Sequence, residues 1–183
     1  SGDQGLLAGD VAYWQQRLAG IPAVHALPLD RPRPAVQRFE AELHLQRIDS
    51  ALLKELQQLG AAHQASLFMV LQSAFALLLS RFSGESDIVM GVPNGGRARQ
   101  ELEPLIGYFI KTQVLRTEID ERQTVSELLT RARTNTLEAF AHNNVPFDHL
   151  VDVVKHPRSL AYNPICQIKF VLQNYEPGEL KLS

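Results

Sequence analysis

Residues 67–82 read LFMVLQSAFALLLSRF, and this stretch decides the fold of the chain. It predicts a helix that starts at Ser66, ends before Gly84 and carries apolar side chains nearly all round. Such a helix is buried on most sides, so we place it at the centre of a core. Because Gln72 and Arg81 interrupt it and a membrane span needs ~20 apolar residues, it predicts no membrane contact.

Helices and strands surround this central helix in an irregular order. Before it the patterns predict a helix over Leu6–Leu18, a proline-rich linker, an alternating strand over Phe39–Gln46, and a helix around 52–59 that Gly60 ends. After it they predict strands over Ile88–Val92 and Tyr108–Arg116, a helix from Thr124 to about Ala141, a short helix from Pro146, and a strand over Ile165–Leu172. This order predicts the α/β class, as a two-layer sandwich whose helices pack on a mixed sheet.

Composition narrows the classes of partner. The 183 residues are 45% hydrophobic and 21% charged, with a formal net charge of −2 and no run of like charge. Nucleic acid and anionic membrane surfaces are therefore not expected as partners. The single cysteine, Cys166, excludes an internal disulfide. Together with the lack of a secretory pattern at the start, it favours a reducing compartment and a cytoplasmic location.

Residue patterns alone assign no reaction. His142, His149 and His156 recur every seven residues, but Pro146 and Pro157 interrupt any common helix, so capping or surface roles are favoured over a metal site. The loop 93–97, with Arg97 and Arg99 nearby, lacks the spacing of a phosphate-binding loop. It remains either a turn or a surface that meets a phosphate-bearing arm. No Gly-x-Ser-x-Gly nucleophile elbow is present.

Several segments, in order and at fitting distances, carry a family resemblance. Residues 106–116 (IGYFIKTQVLR) resemble the condensation-domain motif I/V-G-x-F-V-N-T-x-x-x-R. Residues 142–148 (HNNVPFD) are similar to H-Q-D-x-P-F-E, and 158–165 (RSLAYNPI) to R-D-x-S-R-N-P-L. Residues 13–20 and 82–91 also resemble this family. The resemblance, to condensation domains of nonribosomal peptide synthetases, covers nearly the whole chain.

The chain departs from these motifs at six positions. Lys111 stands for asparagine, and Asn143 and Asn144 stand for Gln-Asp. Ser159, Ala161 and Tyr162 replace polar residues of the last motif. The donor and acceptor class is therefore open, and an epimerisation domain, which shares the fold, remains an alternative.

The resemblance implies a chloramphenicol acetyltransferase-like half-domain, with residues 1–183 forming the carboxy-terminal lobe. The family's catalytic motif, H-H-x-x-x-D-G, lies in the first lobe, and no adjacent histidine pair occurs here. We therefore expect neither a catalytic residue nor a metal in this chain, and no amide formation by the chain alone. The alternative is a non-catalytic condensation-like lobe that docks partner proteins.

The implied reaction joins a carrier-bound acyl or peptidyl donor to a carrier-bound aminoacyl acceptor. The cofactor would be a phosphopantetheine arm delivered by carrier proteins, and the partners would be those carriers, the first lobe and an adenylation domain. The residues implied at the tunnel or in its motifs are Gly107, Tyr108, Phe109, Thr112, Arg116, His142, Pro146, Phe147, Asp148, Arg158, Asn163 and Pro164.

Overall fold

Five helices and two strands make up the part of the chain that the computed structural model describes, residues 2–94 and 111–173. The helices are α1 (Gly2–Arg17), α2 (Ser50–Ala62), α3 (Leu67–Ser83), α4 (Val125–Ala141) and α5 (Phe147–Val153). The strands are β1 (Asp87–Asn94) and β2 (Lys111–Glu118). The predicted α/β class is confirmed. In residues 2–94 and 111–173, no single helix is both long and apolar enough to cross a membrane.

The sheet is mixed, as predicted. β1 and β2 pair antiparallel, with Met90 opposite Leu115. On its other edge β1 meets residues 168–170 in a parallel bridge, where the Gly91 amide donates to the Ile168 carbonyl at 2.9 Å and the Phe170 amide donates to the Gly91 carbonyl at 2.9 Å. The predicted strand Ile165–Leu172 is thus reduced to one bridge, because its first residues turn instead of extending.

The central helix packs on the sheet together with α4. Ala76 and Leu79 of α3 meet Ile88 and Met90 of β1 and Leu128 of α4 in one core cluster. The buried amide of Gln72 donates to the buried hydroxyl of Thr117 at 2.9 Å, which satisfies two polar groups inside this layer. One side of α3 is exposed, since Leu78 and Phe82 keep 49% and 64% of their surface. The prediction of burial on most sides was too broad by that side.

Local sequence signals fix the helix ends. Ser66 accepts a hydrogen bond from the Met69 amide, and Gly84 ends α3 in the left-handed conformation at φ 72°. Thr124 and Glu127 form the predicted capping box, with the Thr124 amide 2.7 Å from the Glu127 carboxylate. These predictions are confirmed.

Gly60 does not end α2, because the helix continues to Ala62. A Cβ at this position would lie 2.6 Å from the Ala65 carbonyl oxygen and 3.1 Å from Val70 Cγ2. The glycine therefore allows α2 to approach the turn into α3 closely.

The predicted strand Phe39–Gln46 is wrong for this structure, which gives this segment no regular element. Phe39, Leu43 and Leu45 are 94%, 83% and 80% exposed. A strand needs a hydrogen-bonded neighbour, and no strand among the described residues pairs with this segment.

Candidate functional site

The corner between α4 and α5 holds the motif that begins at His142. This residue ends α4, and its Nδ1 atom lies 2.7 Å from the carboxylate of Asp10 on α1. Asn144 donates to the same carboxylate through its backbone amide at 3.2 Å and its side-chain amide at 2.9 Å. The first polar residues of the motif are thus turned onto α1 and fix the corner.

Two aromatic residues of α1 complete this contact. The ring of Tyr13 stacks on the His142 imidazole, with centroids 4.1 Å apart and planes 18° apart. The Trp14 indole is buried and donates to the His142 backbone carbonyl at 2.7 Å. α1 therefore holds both the ring and the backbone of the motif histidine.

Asp10 is the polar centre of this corner. Burial alone would raise the pKa of its carboxyl, but hydrogen bonds from His142 and Asn144 outweigh it and hold the pKa below its usual value. Asp10 is therefore an anion at neutral pH, matched by three donors. Sequence reasoning missed it, although it lies four residues before Trp14 on the inner side of an amphipathic helix.

Arg116 of β2 joins the sheet to the end of α1. Its guanidinium binds the Asp87 carboxylate through two nitrogens, at 2.9 Å and 2.7 Å. The third nitrogen donates to the backbone carbonyls of Arg17 and Ala19, at 2.8 Å and 2.9 Å. Hydrogen bonding to Asp87 raises the pKa of Arg116. All three guanidinium nitrogens are used within the protein, so this motif arginine acts as a structural bracket.

α1 is therefore the element that both motifs share. Between its carboxyl end, β2 and α4 lies a polar cleft of about 400 Å³. It is lined by Tyr13, Gln16, Arg17, Arg116, Glu118 and Glu138.

The remaining residues of the second motif act at the surface and in the core. Pro146 takes the N-cap position of α5 rather than its first turn, which corrects the prediction by one residue. Phe147 packs against the main core cluster, and Asp148 is exposed in the first turn of α5. Arg158 of the last motif forms an ion pair with Asp152 at 2.7 Å, with both side chains more than 60% exposed.

The Asn163-Pro164 loop makes a tight turn. The Cys166 amide donates to the Pro164 carbonyl at 2.6 Å, which closes a γ-turn around Ile165 at φ 61°. A β-branched residue at positive φ is strained. The buried ring of His156 accepts from the Ile165 amide at 3.3 Å, and Gln167 donates to the Asn163 carbonyl at 2.8 Å. No described residue hydrogen-bonds the exposed Asn163 side chain.

A second, apolar cleft of about 310 Å³ opens between the amino end of α3, the end of β1 and α4. It is lined by Ser66, Phe68, Met69, Val92, Pro93, Thr136, Phe140, Val171 and Leu172. Thr112 pairs with Pro93 across the sheet and so lies at its edge, while Gly107, Tyr108 and Phe109 fall outside the described residues.

The structure does not gather the predicted residues into one pocket. His142 and Arg116 meet opposite ends of α1, and Asn163 and Pro164 lie in a separate loop. The lone thiol is no nucleophile, because burial raises the pKa of Cys166 to about 12. In residues 2–94 and 111–173, no three His, Cys, Asp or Glu side chains are arranged to hold a metal ion.

Comparison with known proteins gives the family. The family model "Condensation domain" matches residues 4–181. One of the proteins that make up linear gramicidin synthase in Brevibacillus parabrevis is 47% identical over 171 residues, which cover 93% of this chain and 3% of that protein. Phosphinothricin tripeptide synthetase PhsC of Streptomyces viridochromogenes is 39% identical, over 94% of this chain and 16% of that protein.

Solved structures agree with this match. A four-domain nonribosomal peptide synthetase, holo-AB3403 bound to AMP and glycine, superposes with a TM-score of 0.88 at 27% identity, over 92% of this chain and 13% of that one. The X-domain from teicoplanin biosynthesis superposes with a TM-score of 0.85 at 29% identity, over 89% of this chain and 36% of that one. The chain spans a small part of these relatives, and it belongs to the condensation-domain family of nonribosomal peptide synthetases.

Proposed function

We propose that the chain is the carboxy-terminal lobe of a condensation domain that joins a carrier-bound acyl or peptidyl donor to a carrier-bound aminoacyl acceptor. The observation that carries this proposal is the condensation-domain match over residues 4–181, together with 47% identity to part of linear gramicidin synthase. In the proposed reaction the acceptor amine attacks the donor thioester carbonyl. The carbon–nitrogen bond forms, the carbon–sulfur bond breaks, and the phosphopantetheine thiol leaves with a proton.

The proposed contribution of this lobe is a rigid wall rather than a general base. Arg116 and His142 support this division, because their polar atoms face Asp87, Asp10 and the backbone of α1 instead of an open pocket. The base would come from the first lobe. A positioned base contributes ~10²–10⁴-fold in typical enzymes. The 183-residue chain alone should therefore form no amide between carrier-bound thioesters.

Two surfaces are proposed to face the substrates. One is the apolar cleft, whose size and lining suit a small apolar group. Phe68, Met69 and Phe140 would meet such a group. The other is the strained Asn163-Pro164 loop, where strain is often kept for function.

The test compares two asparagines in an intact synthetase module that contains this chain. Asn163→Ala should slow single-turnover amide formation about 10- to 100-fold with the melting temperature unchanged, because a displaced substrate lowers rate without unfolding the protein. Asn144→Ala is the matched control and should lower the melting temperature, because it removes a side-chain hydrogen bond to Asp10. Unchanged turnover in Asn163→Ala would remove this loop from the substrate surface.

A docking lobe is the second candidate. It is favoured by the similarity to the teicoplanin X-domain in its complex with OxyB, with a TM-score of 0.86 and 30% identity. This candidate requires a module that binds a partner protein and forms no amide. Amide formation by the module, abolished by changing the histidine pair of its first lobe, would exclude it.

A further inference from the structure

The segment 39–46 has the pattern of a strand and none of the contacts of one. Phe39, Ala41, Leu43 and Leu45 alternate with polar residues, yet every residue from 38 to 55 is exposed. Residues 38–48 make no hydrogen bond to any other residue of the part that the structure describes. The Gln37 amide, bound to the Leu160 carbonyl at 2.7 Å, is the last tie before this segment.

The exposed apolar side continues beyond the segment. Ile48, Leu52 and Leu53 are 50%, 44% and 37% exposed and lead into α2, in which Gly60 is the buried residue. A continuous apolar strip on a backbone with free donors and acceptors favours pairing with another strand. The pattern therefore indicates a surface that is covered in the assembled protein.

The comparison with the X-domain points to the source of the cover. That chain contains this fold at a TM-score of 0.85, but the match takes up 36% of its length. Most of a condensation-type chain thus lies outside the matched region. A strand from the same chain also has an effective concentration in the millimolar range, which a separate molecule rarely reaches.

We propose that residues 39–46 pair with a β-strand supplied by another part of the same condensation domain. That strand would bring apolar side chains to the face of Phe39, Leu43 and Leu45. On the opposite face Glu40 and Glu42 favour basic or polar residues across from them. The inference requires that the chain be part of a condensation domain and does not depend on the amide-forming reaction.

Hydrogen exchange of backbone amides tests the pairing. It is measured on the 183-residue chain and on the intact synthetase that contains it, with α3 as the internal reference. Amides 39–46 should exchange almost freely in the short chain and roughly 100-fold more slowly in the intact protein. Equally fast exchange in both overturns the proposal. Slow exchange in the short chain that grows with its concentration also overturns it, because a second copy is then the partner.

Two charge substitutions on opposite faces sharpen the test. In the intact protein Leu43→Lys should abolish most of the protection over 39–46, since the new charge faces the covering strand. Glu42→Lys is the matched control and should retain it. In the short chain neither change should alter the melting temperature. Protection that survives Leu43→Lys overturns the proposal, and if that variant fails to fold, the wild-type comparison decides by itself.

Discussion

Arg17 and Arg116 each donate a hydrogen bond to the other's backbone carbonyl. Nη2 of Arg17 lies 2.7 Å from the Arg116 oxygen, and Nη1 of Arg116 lies 2.8 Å from the Arg17 oxygen. Asp87 neutralises one guanidinium and Glu118, 3.4 Å from Arg17, faces the other. The pair therefore closes the end of α1 onto β2, and two like charges can lie side by side because each has its own carboxylate.

Arg116→Ala should lower the free energy of unfolding by ~2–3 kcal/mol, because the half-buried Asp87 carboxylate and two carbonyls lose their donors. Arg116→Lys should recover only part of this loss, since an ammonium cannot form the same planar fork. Chemical denaturation of the 183-residue chain measures both. Arg158→Ala, which breaks an exposed pair, is the control and should cost less than ~1 kcal/mol. Equal losses in Arg116→Ala and Arg158→Ala would contradict the bracket.

Asp10 should give the corner a pH-dependent stability. Because the pKa of Asp10 is lower in the folded chain than in the unfolded one, its contribution is present above the unfolded value and is lost as pH falls through the folded one. Asp10→Asn should cost ~1–3 kcal/mol at pH 7, and the difference from wild type should shrink below about pH 4. Denaturation at a series of pH values checks this.

The control for Asp10 is Asp152→Asn, which alters an exposed ion pair of the same length. It should change stability little at every pH. A cost of Asp10→Asn that stayed constant from about pH 7 to about pH 3 would show that the carboxylate's charge does not stabilise the corner.

Signals within a few residues predicted the helix ends, whereas contacts between distant residues could not be predicted. Ser66, Gly84 and the Thr124–Glu127 capping box act on the neighbouring backbone, so their residue types sufficed. Asp10 meets His142 across 132 residues, and no local pattern encodes that meeting. The strand over 39–46 failed for the same reason, because alternation describes a face but not the partner that covers it.

Burial on α3 separates two adjacent leucines that a sequence cannot distinguish. Leu79 is 8% exposed and packs against the sheet, whereas Leu78 is 49% exposed. Leu79→Ala should therefore cost ~2–5 kcal/mol of unfolding free energy. Leu78→Ala is the matched control and should cost less than ~1 kcal/mol. Similar losses in the two variants of the isolated chain would mean that the outer side of α3 is also covered in solution.

Two helical glycines should respond in opposite directions to alanine. At Gly9 of α1 a Cβ meets nothing within 4 Å, so Gly9→Ala should stabilise the chain by up to ~1 kcal/mol through helix propensity. At Gly60 the Cβ would lie 2.6 Å from the Ala65 carbonyl, and the turn between α2 and α3 must shift. Gly60→Ala should therefore destabilise by ~1–3 kcal/mol. Thermal melting of both variants shows the signs, and stabilisation by both would contradict the close approach.

The turn at Ile165 should reverse the usual ranking of alanine and glycine. Ile165 is 2% exposed in the main core cluster, so its truncation to either residue loses the same kind of apolar contact. Its φ of 61° penalises any side chain, and left-handed backbone costs a residue with a Cβ about 1–2 kcal/mol. In a strand interior alanine is the more stable of the two, because glycine loses more chain entropy. Here Ile165→Gly should be the more stable variant by up to ~1 kcal/mol. Chemical denaturation of the pair measures the difference, and a more stable Ile165→Ala would mean that the turn is relaxed in solution.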